Sequence, residues 1–171
     1  MLFQQENFFN NLDYILPELH KIKLYSKKEY DKEFPNNGQL WPGYRSADLT
    51  IINPILTSFV LDKLQNVKIL QNQNLKIHLY LHLRTKEDEK DEFIHTDDDF
   101  YKYGGLIYLN DTNLNSGTKI YEDKDQMIND IKYVKNRLII FNGSYRHKGY
   151  GYFGNNSENG RLTLNLFIRD L

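Results

Sequence analysis

The chain has 171 residues, 40% hydrophobic and 26% charged, which suffices for one globular domain with a core and is too little for two. A formal net charge of -1 gives no overall attraction to nucleic acid or an anionic membrane, and the absence of cysteine excludes disulfides and thiolate metal sites, so a transition metal must be held by His, Asp or Glu. No basic-then-apolar leader opens the chain and no run approaches the ~18 apolar residues of a membrane span, so the expectation is a cytoplasmic protein.

Residues 7–25, NFFNNLDYILPELHKIKLY, place Phe8, Leu12, Ile15, Leu16 and Leu19 near helical spacing, with Pro17 expected to break or kink the segment. A polar stretch carrying proline and glycine follows, KEFPNNGQLWPGYRSADL. Asn53 can then cap, and Pro54 open, a helix reaching about Leu64. From residue 75 the period becomes two. In LKIHLYLHLR the apolar Leu75, Ile77, Leu79, Leu81 and Leu83 share one face, and Lys76, His78, Tyr80, His82 and Arg84 share the other. RTKEDEKDE, residues 84–92, reads as a solvated hairpin tip or a lip that touches substrate. GGLIYLND, the turn NLNSG leading into TKIY, and RLIIFNGS are short strands separated by turn chemistry. RLTLNLFIR, at the end, sets Leu162, Leu164, Leu166 and Ile168 against Arg161, Thr163, Asn165, Phe167 and Arg169. Helices followed by many strands argue for an α+β fold: a helical layer over about 1–70 backing an antiparallel sandwich or barrel over about 75–170, in one domain spanning 1–171. If the leucine faces meet the helices, His78, Tyr80, His82, Arg161 and Thr163 point inward, which makes a poor core and a good polar pocket.

His95 and Asp97 are one residue apart, so on extended backbone both project to one side, about 7 Å apart along the chain. His147, after RLIIFNGSYR, can complete a two-His, one-carboxylate facial triad of the kind that holds non-haem Fe(II). A His-x-Asp triplet alone is common by chance, and His78 and His82, with the same-face spacing, compete with His147. Arg161 adds weight. An arginine entering a barrel interior needs a carboxylate partner, and its planar fork suits bidentate capture of one; Thr163 shares its face and offers a hydroxyl.

Taken in order, IHTD, GGLIYLND, SGTKIY, RLIIFNGSYRHKGYGYFG and GRLTLNLFIRD over residues 75–170, with WPGYRS upstream, resemble the 2-oxoglutarate and Fe(II)-dependent dioxygenases, in particular the small prolyl-4-hydroxylase-like branch. The resemblance implies a double-stranded β-helix (jelly roll, cupin-like). It implies that His95, Asp97 and His147 ligate Fe(II), that Arg161 binds the distal carboxylate of the cosubstrate 2-oxoglutarate, and that Thr163 and Tyr80 support it. It implies hydroxylation of a C–H bond with dioxygen, 2-oxoglutarate leaving as succinate and carbon dioxide, on a protein or peptide side chain such as proline, or on a free amino acid or other small molecule. Retention of Asp97 favours hydroxylation over halogenation.

Other residues carry blander expectations. Asp98 and Asp99 point apart on extended backbone and read as solvated or capping groups. His78 and His82 read as pocket-lining or satisfied core histidines. Arg45 and Trp41 either tie the helical layer to the sheet or reach the substrate mouth. Tyr101, Tyr103, Tyr150 and Tyr152 are candidates for a substrate channel, and the Gly104–Gly105 pair leaves room near the pocket. The alternative from another class is a non-catalytic β-sandwich module holding a carboxylate or sugar.

Overall fold

The structure is a computed structural model that describes residues 1–35, 41–91, 93–122 and 126–171. Two antiparallel sheets face each other. The larger runs β1 (Leu2–Gln5), β8 (Leu138–Asn142), β5 (Tyr103–Tyr108), β10 (Arg161–Asp170), β4 (Leu75–Arg84), β3 (Tyr44–Arg45) and β2 (Tyr25–Ser26) in spatial order. The smaller runs β7 (Met127–Tyr133), β6 (Asn113–Tyr121) and β9 (Arg146–Tyr150). Helices α1 (Leu12–His20), α2 (Lys27–Glu33), α3 (Leu49–Ile52) and α4 (Pro54–Leu64) come before the long strands, and this is the helix-backed double-stranded β-helix expected from the sequence.

The period-two alternation of β4 and β10 decides which face is which. Leu79, Leu81, Leu83, Leu162, Leu164, Leu166 and Ile168 bury against Leu12, Leu19, Leu56, Val60 and Leu64 of α1 and α4. Each such side chain contributes about 1.5–3 kcal/mol when taken out of water, so this layer is the main source of stability. The opposite face of the large sheet meets the small sheet in a second core of Leu106, Tyr108, Ile120, Ile131, Tyr133, Ile139 and Phe141. That core fills only part of the gap; the rest is the cavity described below.

Several details differ from expectation for identifiable reasons. α1 runs through Pro17 instead of breaking there, giving up one backbone hydrogen bond while Leu12 and Leu19 on either side of it stay buried in the core. Ser26 and Glu29 form a reciprocal capping box that starts α2, a helix the hydrophobic pattern does not announce. Asn53 caps α4 as expected, its Oδ1 accepting from Leu56 N at 3.1 Å with Pro54 in the first turn. Residues 86–91 form a 3₁₀ turn rather than a hairpin tip, with Arg84 and Thr85 buried and Thr85 N donating to Asp88 at 2.7 Å; residue 92 lies outside the described residues. The NLNSG turn and TKIY are one strand, β6, with a register shift between Asn113 and Gly117. No helix among the described residues is long and apolar enough to cross a membrane.

Candidate active site

Strand register lays out the floor of the cavity. β10 pairs with β4 so that Arg161 stands opposite Arg84, Thr163 opposite His82, Asn165 opposite Tyr80 and Phe167 opposite His78. On its other side Asn165 faces Leu106 and Phe167 faces Gly104 of β5. The cavity, about 630 Å³, is lined among others by Arg161, Thr163, His82, Asp97, His95 and His147. Its volume falls within the range of small-molecule sites.

His95 and His147 are joined by two backbone hydrogen bonds, His95 N to His147 O at 3.1 Å and His147 N to His95 O at 2.7 Å. This bridge sets the imidazoles beside each other, with ring centroids 4.4 Å apart. Asp97 Oδ1 lies 3.8 Å from His147 Nε2, and one ligand atom from each of the three residues lies within 4.8 Å of the others. His147 Nδ1 faces Tyr145 O at 3.3 Å, which selects the tautomer that leaves Nε2 with its lone pair toward Asp97. Burial pushes His147 down to about 4 and, with His147 beside it, His95 down to about 4, so both are neutral at pH 7, the form that ligates a metal. Burial raises the Asp97 carboxyl to about 6, the direction expected of a carboxylate placed in a desolvated pocket before a cation joins it. Gly104 makes room for this carboxylate: a Cβ there would stand 2.8 Å from Asp97 Oδ2.

At the other end Arg161 is 4% exposed. Its Nη2 donates to Gly117 O and to Thr118 Oγ1, both at 3.0 Å, and its Nε has no hydrogen-bond partner. No carboxylate among the described residues lies within ion-pair distance of it. Gly149 gives it space, since a Cβ there would be 3.2 Å from its Cζ. A buried cation without an internal counter-charge is costly, so the arrangement fits an anion arriving from outside the chain. The donor set fits as well: two neutral imidazoles and one carboxylate suit Fe(II) and leave positions for other ligands.

The remaining expected residues sort cleanly. Thr163 shares the cavity wall with Arg161, but its hydroxyl turns to Asn165 Oδ1 at 2.7 Å. Tyr80 shares their strand face yet not their place. It stands two ladder rows away, about 13 Å along the strand from Arg161, with its hydroxyl toward Asp48 at 3.5 Å, and the structure does not bring it to the cosubstrate end. His78 is paired with Asp48 at 2.6 Å, and His82 donates from Nε2 to Pro42 O at 2.7 Å on the cavity wall, so neither joins the metal cluster. Of the four tyrosines Tyr101 and Tyr152 line the cavity, Tyr103 sits in the main core, and Tyr150 lies on the far face of the small sheet, donating to Asp130. Asp98 and Asp99 are exposed, Asp98 at the cavity edge. Trp41 and Arg45 both reach the cavity. Thr118, which holds Arg161, has no signal in the sequence, because a threonine on an alternating strand carries no mark of its cross-sheet partner.

The chain matches no family model and no curated protein in sequence. Solved structures do share its fold. A prolyl-4-hydroxylase from Pseudomonas putida gives a TM-score of 0.59 at 14% identity, over 99% of this chain and 92% of that one. HygX from Streptomyces hygroscopicus, with nickel, 2-oxoglutarate and hygromycin B bound, gives 0.70 at 15% identity, over 99% and 82%. A prolyl hydroxylase from Trichoplax adhaerens, in complex with a peptide fragment of the oxygen degradation domain of hypoxia inducible factor, gives 0.60 at 13% identity, over 99% and 90%. Among the similar structures is also a member of the 2OG-Fe(II) oxygenase family from Burkholderia pseudomallei. The chain has the fold of the 2-oxoglutarate and Fe(II)-dependent oxygenases.

Proposed function

We propose that the protein is a non-haem Fe(II) and 2-oxoglutarate-dependent dioxygenase that hydroxylates a C–H bond. One observation carries this reading: the His95, Asp97 and His147 ligand atoms lie within 4.8 Å of one another in the same cavity as a buried arginine with no carboxylate partner among the described residues. Bound iron, with 2-oxoglutarate and dioxygen, supplies the oxidising power for hydroxylation. His95 and His147 present neutral imidazole nitrogens to the ion, and Asp97 lends it a negative charge. Arg161 receives the distal carboxylate of 2-oxoglutarate while Thr118 and Gly117 hold its guanidinium in place. Phe141 and Leu106 give the cavity an apolar flank beside these polar groups.

The substrate is a small molecule or a peptide side chain. Peptidyl proline is suggested by the resemblance to prolyl hydroxylases, whereas the likeness to HygX points to small molecules. The test is anaerobic addition of Fe(II) and 2-oxoglutarate, which should give the weak visible charge-transfer band of the chelate, followed by succinate release on admitting air. His95→Ala should abolish both. A folded, metal-loaded protein that gives neither band nor succinate overturns the reading.

A further inference from the structure

The inner face of β10 carries one polar group whose hydrogen bonding the fold completes only by half. Asn165 is half-buried on the cavity wall, and its Oδ1 accepts from Thr163 Oγ1 at 2.7 Å. The Thr163 hydroxyl also faces His82 O, at 3.3 Å, but it has one proton to give, and 2.7 Å is the ordinary length of an O–H···O bond. The proton therefore goes to Asn165, which puts the accepting oxygen on the Thr163 side and turns Nδ2 away from it. Nδ2 has no acceptor among the described residues and is not sealed from solvent. Leu164 and Leu166, its neighbours in sequence, take the face that packs on the helices, so the open side of this amide is the cavity.

Strand register shows what passes over it. Arg161 Cζ is 5.7 Å from the ring of Tyr108, which pairs with Thr163, so the guanidinium hangs over the Thr163–Tyr108 row. The Asp97 carboxylate lies over Gly104, which pairs with Phe167, and the Asn165–Leu106 row is the one between. From the Thr163 row to the Phe167 row is about 13 Å along the strand. A five-carbon keto diacid spans about 5 Å; with a contact of about 3 Å to an arginine at one end and metal–oxygen bonds of about 2 Å at the other, it fills that interval. The primary substrate is left the side beyond, where Tyr101 packs on Phe167 with ring centroids 5.2 Å apart and Phe100 on Tyr101 at 4.3 Å.

We propose that Asn165 Nδ2 donates a hydrogen bond to the keto-acid end of the cosubstrate, and that Thr163 acts on the cosubstrate through Asn165, by holding the amide in that aim, and not by touching it. The assignment rests on the oxygenase reading above and adds to it a second grip, at the metal end, beside that of Arg161 at the distal end. A keto acid chelating a metal through one carboxylate oxygen and its carbonyl still has lone pairs to accept with, and a hydrogen bond to a charged acceptor is among the strong ones. A donor already oriented before the ligand arrives adds little ordering cost.

The experiment uses the full chain under nitrogen and reads three quantities: Mn(II) affinity by calorimetry, 2-oxoglutarate affinity of the Mn(II)-loaded protein, and the wavelength of the charge-transfer band of the Fe(II) and 2-oxoglutarate chelate at saturation. Asn165→Leu keeps the branched shape and loses the donor. It should leave Mn(II) affinity within about threefold and weaken 2-oxoglutarate about tenfold or more. It should also move the band to shorter wavelength, because a hydrogen bond donated to the keto acid lowers the orbital that receives the metal's electron. Arg161→Met weakens 2-oxoglutarate as well but should leave the band in place, which separates the two ends of the cosubstrate. Thr163→Val frees the amide to invert and should move the band in the same direction by less. If Asn165→Leu fails to fold by circular dichroism, Asn165→Ala decides by the same readings. Unchanged 2-oxoglutarate affinity in a folded variant, weakened affinity with an unmoved band, an equal loss of Mn(II) binding, or a Thr163→Val protein indistinguishable from the wild type each overturns the proposal. Failure of the oxygenase reading is seen separately, as a wild-type protein that gives no band at all.

Discussion

Replacing Gly104 by alanine acts where packing meets ligation. A Cβ at this position would stand 2.7 Å from Phe141 Cε2, 2.8 Å from Asp97 Oδ2 and 2.9 Å from Phe141 Cζ. Non-bonded heavy atoms settle at about 3.5 Å or more, so a neighbour has to give by more than half an ångström. Phe141 is 2% exposed and its ring lies 4.8 Å from the His147 ring, so it cannot retreat without carrying strain to a second ligand. The Asp97 carboxylate is the softer neighbour and turns away. For the fold this costs about 1 kcal/mol, the lower end of overpacking. For an ion it costs more, because ligand distances tolerate about 0.2 Å; the expected loss of metal affinity is about 10–100-fold, or about 1.4–2.8 kcal/mol. Calorimetric titration with Mn(II) measures this, with Gly105→Ala as the control. There the Cβ meets Ile139 O at 2.7 Å and Leu166 Cδ1 at 3.2 Å, on the other face of β5. That variant should lower the melting temperature and leave Mn(II) affinity within about threefold. Gly104→Ala binding Mn(II) as tightly as the wild type would refute the placement of Asp97 in the metal site.

Arg161→Met should raise the 2-oxoglutarate concentration needed for half-maximal turnover by about 100-fold or more while Mn(II) binding is retained, read by cosubstrate titration beside metal calorimetry; an unchanged requirement moves the anchor elsewhere. Burial holds His82 down at about 3 against 6.5 for an ordinary imidazole, with the bond to Pro42 opposing only part of the effect. The unfolded chain therefore binds a proton below pH 6.5 that the folded chain refuses, and stability falls as pH drops from 6.5 toward 3 by up to about 1.4 kcal/mol per pH unit from this group. Urea melts at a series of pH values should show a shallower acid slope in His82→Asn. Asn136, in the left-handed region at φ 64°, accepts from Phe9 N at 2.8 Å and donates to Phe9 O at 2.7 Å. Asn136→Ala leaves both Phe9 groups without these partners and should cost about 2–4 kcal/mol in chemical denaturation, with 2-oxoglutarate affinity in the native baseline unaltered.

What the sequence reveals of the site follows from how far each signal reaches. Alternation in LKIHLYLHLR and RLTLNLFIR fixes which side chains share a face, so the polar floor and the leucine-faced core were both legible. Alternation says nothing of register, however. Tyr80 and Arg161 have the right parity, but only the pairing of Asn165 with Tyr80 shows that they stand two rows apart. His95 and Asp97 are local and could be found from spacing, while the partnership with His147 becomes physical only through a bridge between segments 52 residues apart. β1, with four residues, and β2 and β3, with two each, are too short to carry a period. Arg45 and Trp41 could be named as candidates, but the tyrosine and phenylalanine beneath the guanidinium come from strands far along the chain. The capping box at Ser26 and Glu29 was readable and marks a helix too short to show a stripe.

The mutual hydrogen bonds between His95 and His147 have a mechanical consequence. Asp97 rests over Gly104 of the large sheet, whereas His147 belongs to β9 of the small one, so the three ligands straddle the cleft between the two layers. An ion held there would act as a rivet between the layers, added to the packing of Phe141 of the large sheet on His147 of the small one. Loading should then slow amide exchange across Arg146–Tyr150 and in the segment around His95 together, as one hinge stiffening, and the same rivet would hold the wall bearing Gly149 against Arg161 before the cosubstrate arrives.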